Sequence, residues 1–350
     1  MKRVILAVVI FFIGSGISLA ASETNEEAKI TIKIATIAPK RTTMAKIIKD
    51  FRTEVREKTN NEVDFKVYWG GVQGDEIDVL RKVRLKQLHG GAFTGRGLGQ
   101  IVPEVRVTEL PYAFRNSEEV AYVRSKLKDT MDKKFEEKGY VVLAWHDIGF
   151  VYAFSKVPIT SVEVLKKQKC WVWGDDVLSH EVYNVIGITP VPLSITDVLT
   201  SLTANLIDNA SVTPFGAVAF RWYHKFNYMT DFPIVNVVGA LIVTKETWDK
   251  ISDESQKKIK EIAKVHFDTL TKSAIKADRD SIEVLKKEGI IVAHAGEGSE
   301  IDINWRLNVG KQVRENLVGK LYSRELLDRT LSLLDEYRRV HPDSSYVRIE

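Results

Sequence analysis

Apolar and polar residues change their spacing several times along this chain, and each change of period marks an element. Between Ile30 and Ile37 they alternate one by one, the period of a strand with one buried face. Pro39 breaks that run, and Thr42 or Thr43 can cap a helix whose Met44, Ile47, Ile48, Phe51 and Val55 share one side. A second strand is predicted over Val63–Tyr68, then a glycine-rich turn from Trp69 to Asp75, then a helix carrying Ile77, Leu80 and Val83. Strands are predicted again over Gly139–Trp145 and Lys169–Trp173, and helices over Ser161–Lys167, Val177–Ile186 and Thr196–Asn205. Alternation of this kind predicts an α/β fold with a largely parallel sheet.

The longest periodic run lies near the end. Ser252-Asp253-Glu254 is a helix-start signal, and no Gly or Pro follows before Gly289. Ile251, Ile259, Ile262, Phe267, Leu270, Ala274, Ala277 and Leu285 recur at roughly helical spacing. A helix over 253–288 would be about 54 Å long at 1.5 Å per residue. One small domain does not need that length, so the helix is expected to brace two lobes joined by strands that cross between them. At the other end, Lys2 and Arg3 precede the unbroken apolar run Val4–Ile13, which relaxes into Ser18-Leu19-Ala20-Ala21. A basic start, a short apolar run and small residues describe a secretory signal peptide, cut near Ala20. The run falls short of the ~20 residues of a membrane span, so the mature protein is expected in the periplasm.

Composition narrows the class. Hydrophobic residues make up 44% of the 350 and charged residues 28%, the balance of a folded globular chain. Net charge is +4, with Lys and Arg spread among acids, so no concentrated basic face offers itself to a nucleic acid. The one cysteine, Cys170, excludes an internal disulfide and reads as a small buried residue. Several near-motifs fail on inspection. His180-Glu181 lacks the second histidine of a zinc site, because position 184 is Asn184. Gly95-Arg96-Gly97-Leu98-Gly99 has Gln100 where a dinucleotide fingerprint needs glycine, and it follows the third strand rather than the first, so it is read as a flexible loop. Asp175-Asp176 is read as a turn whose side chains diverge into water. With no metal, cofactor or catalytic spacing in view, binding is favoured over catalysis.

Four passages carry a family resemblance: "VYWGGVQGDEIDVLRKV", "VPEVRVTELPYAFRNSEE", "PITSVEVLKKQKCWVWGDDVLSHEVYNVIGITPVPLSITDVLTSL" and "ANLIDNASVTPFGAV". In order and spacing, from about Ile32 to Val292, the chain resembles the DctP-type solute-binding proteins of TRAP transporters (tripartite ATP-independent periplasmic transporters). The resemblance implies a two-lobed periplasmic binding protein fold, type II-like, with crossing strands and one long bracing helix. It implies lobes of about 29–148 with 236–276 and 149–235 with 277–350. It implies a small-molecule ligand, a monomer, and a membrane partner made of a small and a large permease subunit. The tail from Tyr322 to Glu350, with a helix over Arg324–Arg339, either packs across the lobes or contacts a partner.

The departures from the family pattern bear on the ligand. Trp171 stands where the resemblance places a carboxylate-binding arginine, and Trp173 where it places a proline. Val151 replaces a second arginine; Val212, or Thr213, falls at an asparagine; Phe93-Thr94 falls at a polar or acidic position; Ile195 falls at an aromatic one. Trp69, Trp145 and Ile37 are expected neighbours, with Trp171 central. Such a pocket predicts a largely apolar or aromatic ligand, since an unpaired buried carboxylate is costly. The alternatives are an organic acid held by Arg96, Lys40 or Arg41, or an enzyme or sensory module on the same scaffold.

Overall fold

The computed structural model describes residues 28–294, 301–347 and 349; the signal-peptide segment lies outside them. Ten strands are present among the described residues: β1 (Ile30–Ala35), β2 (Val63–Tyr68), β3 (Gly90–Thr94), β4 (Tyr140–Ser155), β5 (Trp171–Trp173), β6 (Val191–Leu193), β7 (Asn209–Val212), β8 (Tyr228–Thr230), β9 (Val235–Thr244) and β10 (Ile291–Ala293). The helices are α1 (Thr43–Lys58), α2 (Glu76–Arg84), α3 (Gly95–Gly99), α4 (Ser117–Glu137), α5 (Val162–Lys166), α6 (Val177–Val185), α7 (Val198–Thr203), α8 (Pro214–Ala219), α9 (Lys245–Trp248), α10 (Asp253–Lys287), α11 (Ile303–Asn316) and α12 (Arg324–Val340).

The first half grows from the alternation at the mature start. Ile32 and Ile34 of β1 point to one face, where Phe51 of α1 and Phe267 of α10 close over them. Phe51 packs on Phe65 at 5.1 Å and edge-on to Phe267 at 5.9 Å between ring centroids. Thr42 caps α1 by accepting from Ala45 N. β1 pairs in parallel with β2 and β3, and β9 returns antiparallel beside β3.

The strand expected over Gly139–Trp145 runs on to Ser155, because β4 belongs to both halves. Its first part pairs antiparallel with β9, and its last residues pair with β7 and β8. Two register shifts, at Val142/Ala144 and Asp147/Gly149, hide its length from the alternation pattern. At the second shift Gly149 has φ +134°, and a Cβ there would lie 1.9 Å from Asp278 Oδ2 of α10, so only glycine fits. β4 and β9 are therefore the crossing strands. The helix expected over 253–288 is α10, 35 residues long, packed on α1, β4 and α8. It touches both halves.

The tail also spans them. α11 packs on α6 and α12 on α4, with Tyr122 donating to Glu336 at 2.6 Å and Arg338 bonded to Glu119 at 2.8 Å. Val347 N then bonds Arg115 O, and Ile349 N bonds Asp231 O. Thr196–Asn205, expected as one helix, is a 3₁₀ turn over Ile195–Asp197 followed by α7. Cys170 is buried beside Asn209, and burial pushes its thiol up to about 11. Among the described residues no helix is long and apolar enough to cross a membrane.

Candidate functional site

A cavity of about 280 Å³ opens between the two halves. Ile37, Phe93 and Thr94 line it from the first half, Val151 from the crossing strand, and Trp171, Trp173, Ile195, Val212 and Thr213 from the second. Trp69 and Trp145 do not line it. Trp69 is half-buried in the turn after β2. Trp145 faces the other side of β4 from its neighbour His146, packs edge-on to Phe135 of α4 at 5.8 Å and donates to Asp132 at 2.7 Å.

Trp171 presents an apolar face. Its indole N–H donates to Leu193 O at 3.1 Å, so the polar atom is used by β6. The ring stacks on Trp173 at 6.3 Å and meets Trp222 edge-on at 5.5 Å.

The charges around the cavity come from residues that spacing alone did not bring together. Lys40 and Arg41 are exposed and lie outside the lining, whereas Arg96 and Arg106 are buried in it. Arg96 sits on α3, its guanidinium 5.1 Å from the centroid of the Trp173 ring. Its Nε donates to Trp173 O at 3.1 Å and Nη2 lies 3.2 Å from Asp175. Nη1 stands 3.6 Å from Asp75 and has no hydrogen-bond partner. Arg106 is held between Glu109 at 3.0 Å and Asp176 at 2.9 Å.

The glycine run expected as a flexible loop is the buried helix α3, clasped by two carboxylates. Glu76 accepts from Thr94 N, Thr94 Oγ1 and Gly97 N at 2.7, 2.9 and 2.8 Å. A Cβ at Gly97 would lie 2.7 Å from Glu76 Oε2, and one at Gly95 would lie 2.2 Å from Glu109 Oε2. The glycines therefore admit carboxylates, not a pyrophosphate. Asp176, expected in water, is buried; it caps α6 through Ser179 N and pairs with Arg106. Asp175 is exposed as expected but bonds Arg96.

Burial pushes the Glu76 carboxyl up to about 7, against the pull of its Thr94 hydrogen bonds. A carboxyl raised in the folded state gives stability that is fully present below its ordinary range and is lost as pH rises toward the folded value. Unfolding free energies from denaturant titration are therefore expected to fall between pH 5 and pH 8, by an amount on the order of 1–3 kcal/mol. Burial pushes the Glu109 and Asp278 carboxyls up to about 7 as well, so Glu76→Gln should reduce that slope without removing it; an equal slope in the variant would remove Glu76 as a source.

The bacterial extracellular solute-binding protein family 7 model, DctP, matches residues 34–303. The chain belongs to that family. Members of the DctP family are binding proteins of transporters, not enzymes, and they work outside the cytoplasm with membrane permease subunits. A solute-binding protein of Chromohalobacter salexigens is 26% identical over 220 residues, 62% of this chain and 65% of the relative's own length. The C4-dicarboxylate-binding protein DctB of Bacillus subtilis is 23% identical over 86% of each chain. Solved TRAP solute-binding proteins share the fold. The one from Haemophilus influenzae, with bound L-gulonate, superposes with a TM-score of 0.80 at 20% identity over 88% of this chain and 99% of its own. The one from Desulfovibrio salexigens, with bound orotic acid, does so at 0.79 and 18% over 89% and 99%.

Proposed function

We propose that the mature protein, cut near Ala20, captures an organic acid with a bulky apolar or aromatic body in the periplasm. As a monomer, it would hand that ligand to a TRAP permease of one small and one large membrane subunit. The observation that carries this reading is Arg96. It is a buried cation in the wall of an otherwise largely apolar cavity, laid on Trp173, with one guanidinium nitrogen free of hydrogen bonds. A carboxylate is the partner that geometry suits. The expectation of a ligand without an acid group finds no support among the relatives, whose bound ligands include galacturonate, glucuronate and gulonate. The aromatic and aliphatic wall of Trp171, Val151, Phe93, Ile195 and Val212 still favours an apolar body over a sugar acid.

The two lobes in this reading are 29–148 with 236–276 and 149–235 with 277–350, hinging at the Gly149 bulge of β4. Solvent extraction of protein purified from the periplasm without refolding, read by mass spectrometry, is expected to release a compound with a carboxylate and an apolar or aromatic body. Recovery of a small dicarboxylate or an aldonic acid overturns the reading. Trp171→Ala is expected to weaken that compound by about 2–4 kcal/mol in calorimetry, the range for losing a central aromatic anchor. Unchanged affinity would return Trp171 to a purely structural place against Trp222.

A further inference from the structure

One imidazole in the cavity wall keeps a ring nitrogen without a hydrogen-bond partner among the described residues. His146 stands on β4 opposite Gly239 of β9 and is 4% exposed. Its ring lies 5.6 Å from that of Phe267 and presses on Gly239, where a Cβ would come within 2.0 Å of Cε1. Gly239 thus admits the ring to this position and the cavity borders it. Nδ1 is buried with no hydrogen-bond partner. Met44 and Ile48 of α1, Ala92 of β3 and Val237 of β9 line the same cavity.

Burial, aided by the Arg124 charge, pushes the imidazole down to about 3. Arg124 is itself bound to Asp147 by two hydrogen bonds of 3.0 Å, so it offers His146 no partner and only repels a proton. The ring is neutral at ordinary pH, with one nitrogen donating and one accepting. A buried nitrogen of this kind is unfavourable without a partner, and such groups in a cavity wall mark where a ligand supplies one.

We propose that His146 hydrogen-bonds a hydroxyl carried on the apolar body of the bound acid. This rests on the organic-acid reading and narrows it: the ligand has a carboxylate for Arg96, an apolar frame for Trp171 and Phe93, and an uncharged polar group for His146. A hydroxyl fits because it can both donate and accept. The unpaired imidazole then discriminates against a ligand that lacks the group.

The test uses 3-phenylpropionate and its three ring-hydroxylated isomers as probes, titrated into the mature protein by calorimetry. At least one isomer is expected to bind about tenfold tighter than the parent, the size of one neutral hydrogen bond to a buried group. His146→Phe should abolish that preference, and His146→Gln should keep part of it. Without any variant, the favoured isomer should also shift the His146 ring nitrogens in ¹⁵N spectra, and the parent acid should not. No hydroxyl preference in the natural protein, a preference that survives His146→Phe, or no saturable binding of any of the four acids overturns the proposal. The methyl esters separate it from the reading beneath it. Equal binding of ester and acid would sink the carboxylate contact at Arg96, while the preference between hydroxylated and plain esters would still decide His146.

Discussion

Replacing Arg96 with methionine is expected to weaken binding of an apolar carboxylate such as 3-phenylpropionate by about 2–4 kcal/mol. The side chain is only 6% exposed, so a carboxylate bound to it would be removed from water along with it. In that setting a charge-assisted hydrogen bond to Nη1 is worth far more than at the surface. Methionine keeps much of the apolar stem and fills similar space, which leaves the wall on Trp173 intact. The methyl ester of the same acid should bind the variant and the natural protein almost equally, isolating the charge from the packing. Arg96→Lys should recover only part of the loss, because an ammonium cannot both hold Trp173 O and offer a paired donor set. Removing Arg96 also leaves Asp75 without its neighbouring cation, so thermal midpoints of the variants belong beside the titrations. Asp75 keeps donors from Trp173, Ser194 and Glu76 N, which limits that penalty. Full-strength binding of the acid by the methionine variant would sink the organic-acid reading.

Much of the frame is legible in the chain because its information is local. The alternation in β1, the cap at Thr42 and the uninterrupted run of α10 each depend on residues a few positions apart. α4 is equally local, with Val120, Val123, Leu127, Met131 and Phe135 at helical spacing, yet it is absent from the predicted elements. The length of β4 was hidden for a physical reason: its two bulges break the period of two that marks a strand. Positions taken from the resemblance, such as Val151, Trp171 and Val212, line one cavity because a shared backbone carries side-chain direction with it. Trp145, expected beside them, faces away, since on a strand one step in register turns a side chain to the opposite face. The charged network lay beyond reach. Arg106 and Asp176 are 70 residues apart, and the role of Glu76 depends on where Gly97 brings its backbone. No periodicity encodes such encounters. The one trace in the sequence is the glycine run, whose spacing is set by the two carboxylates packed on it.

That network has a second consequence, in the motion between the halves. Asp176→Asn is expected to shift the ligand-free protein toward an open cleft, seen as a larger radius of gyration in solution scattering. Arg106 and Asp176 are buried, their side chains 7% and 9% exposed, and they join the first half to the second at 2.9 and 3.2 Å. Arg96 to Asp175, and Trp173 to Asp75 at 2.8 Å, cross the same gap. These contacts join the halves without a ligand, as a latch would. Removing the Asp176 charge leaves Arg106 with Glu109 as its remaining ion-pair partner, so the cost falls below the roughly 3–5 kcal/mol of a fully unpaired buried charge. Here the molecule has a way out that a rigid core lacks, since separating the lobes returns Arg106 to water. Asparagine still accepts from Ser179 N, so α6 keeps its cap and the change is confined to the latch. Ligand affinity should fall in the same variant, because binding must then supply the closure that the ion pair supplied before. Adding 0.5 M salt should mimic the substitution only weakly, as buried pairs are poorly screened. Superimposable scattering curves for the natural protein and Asp176→Asn, both free of ligand, would show that Arg106 and Asp176 bind the halves without governing their separation.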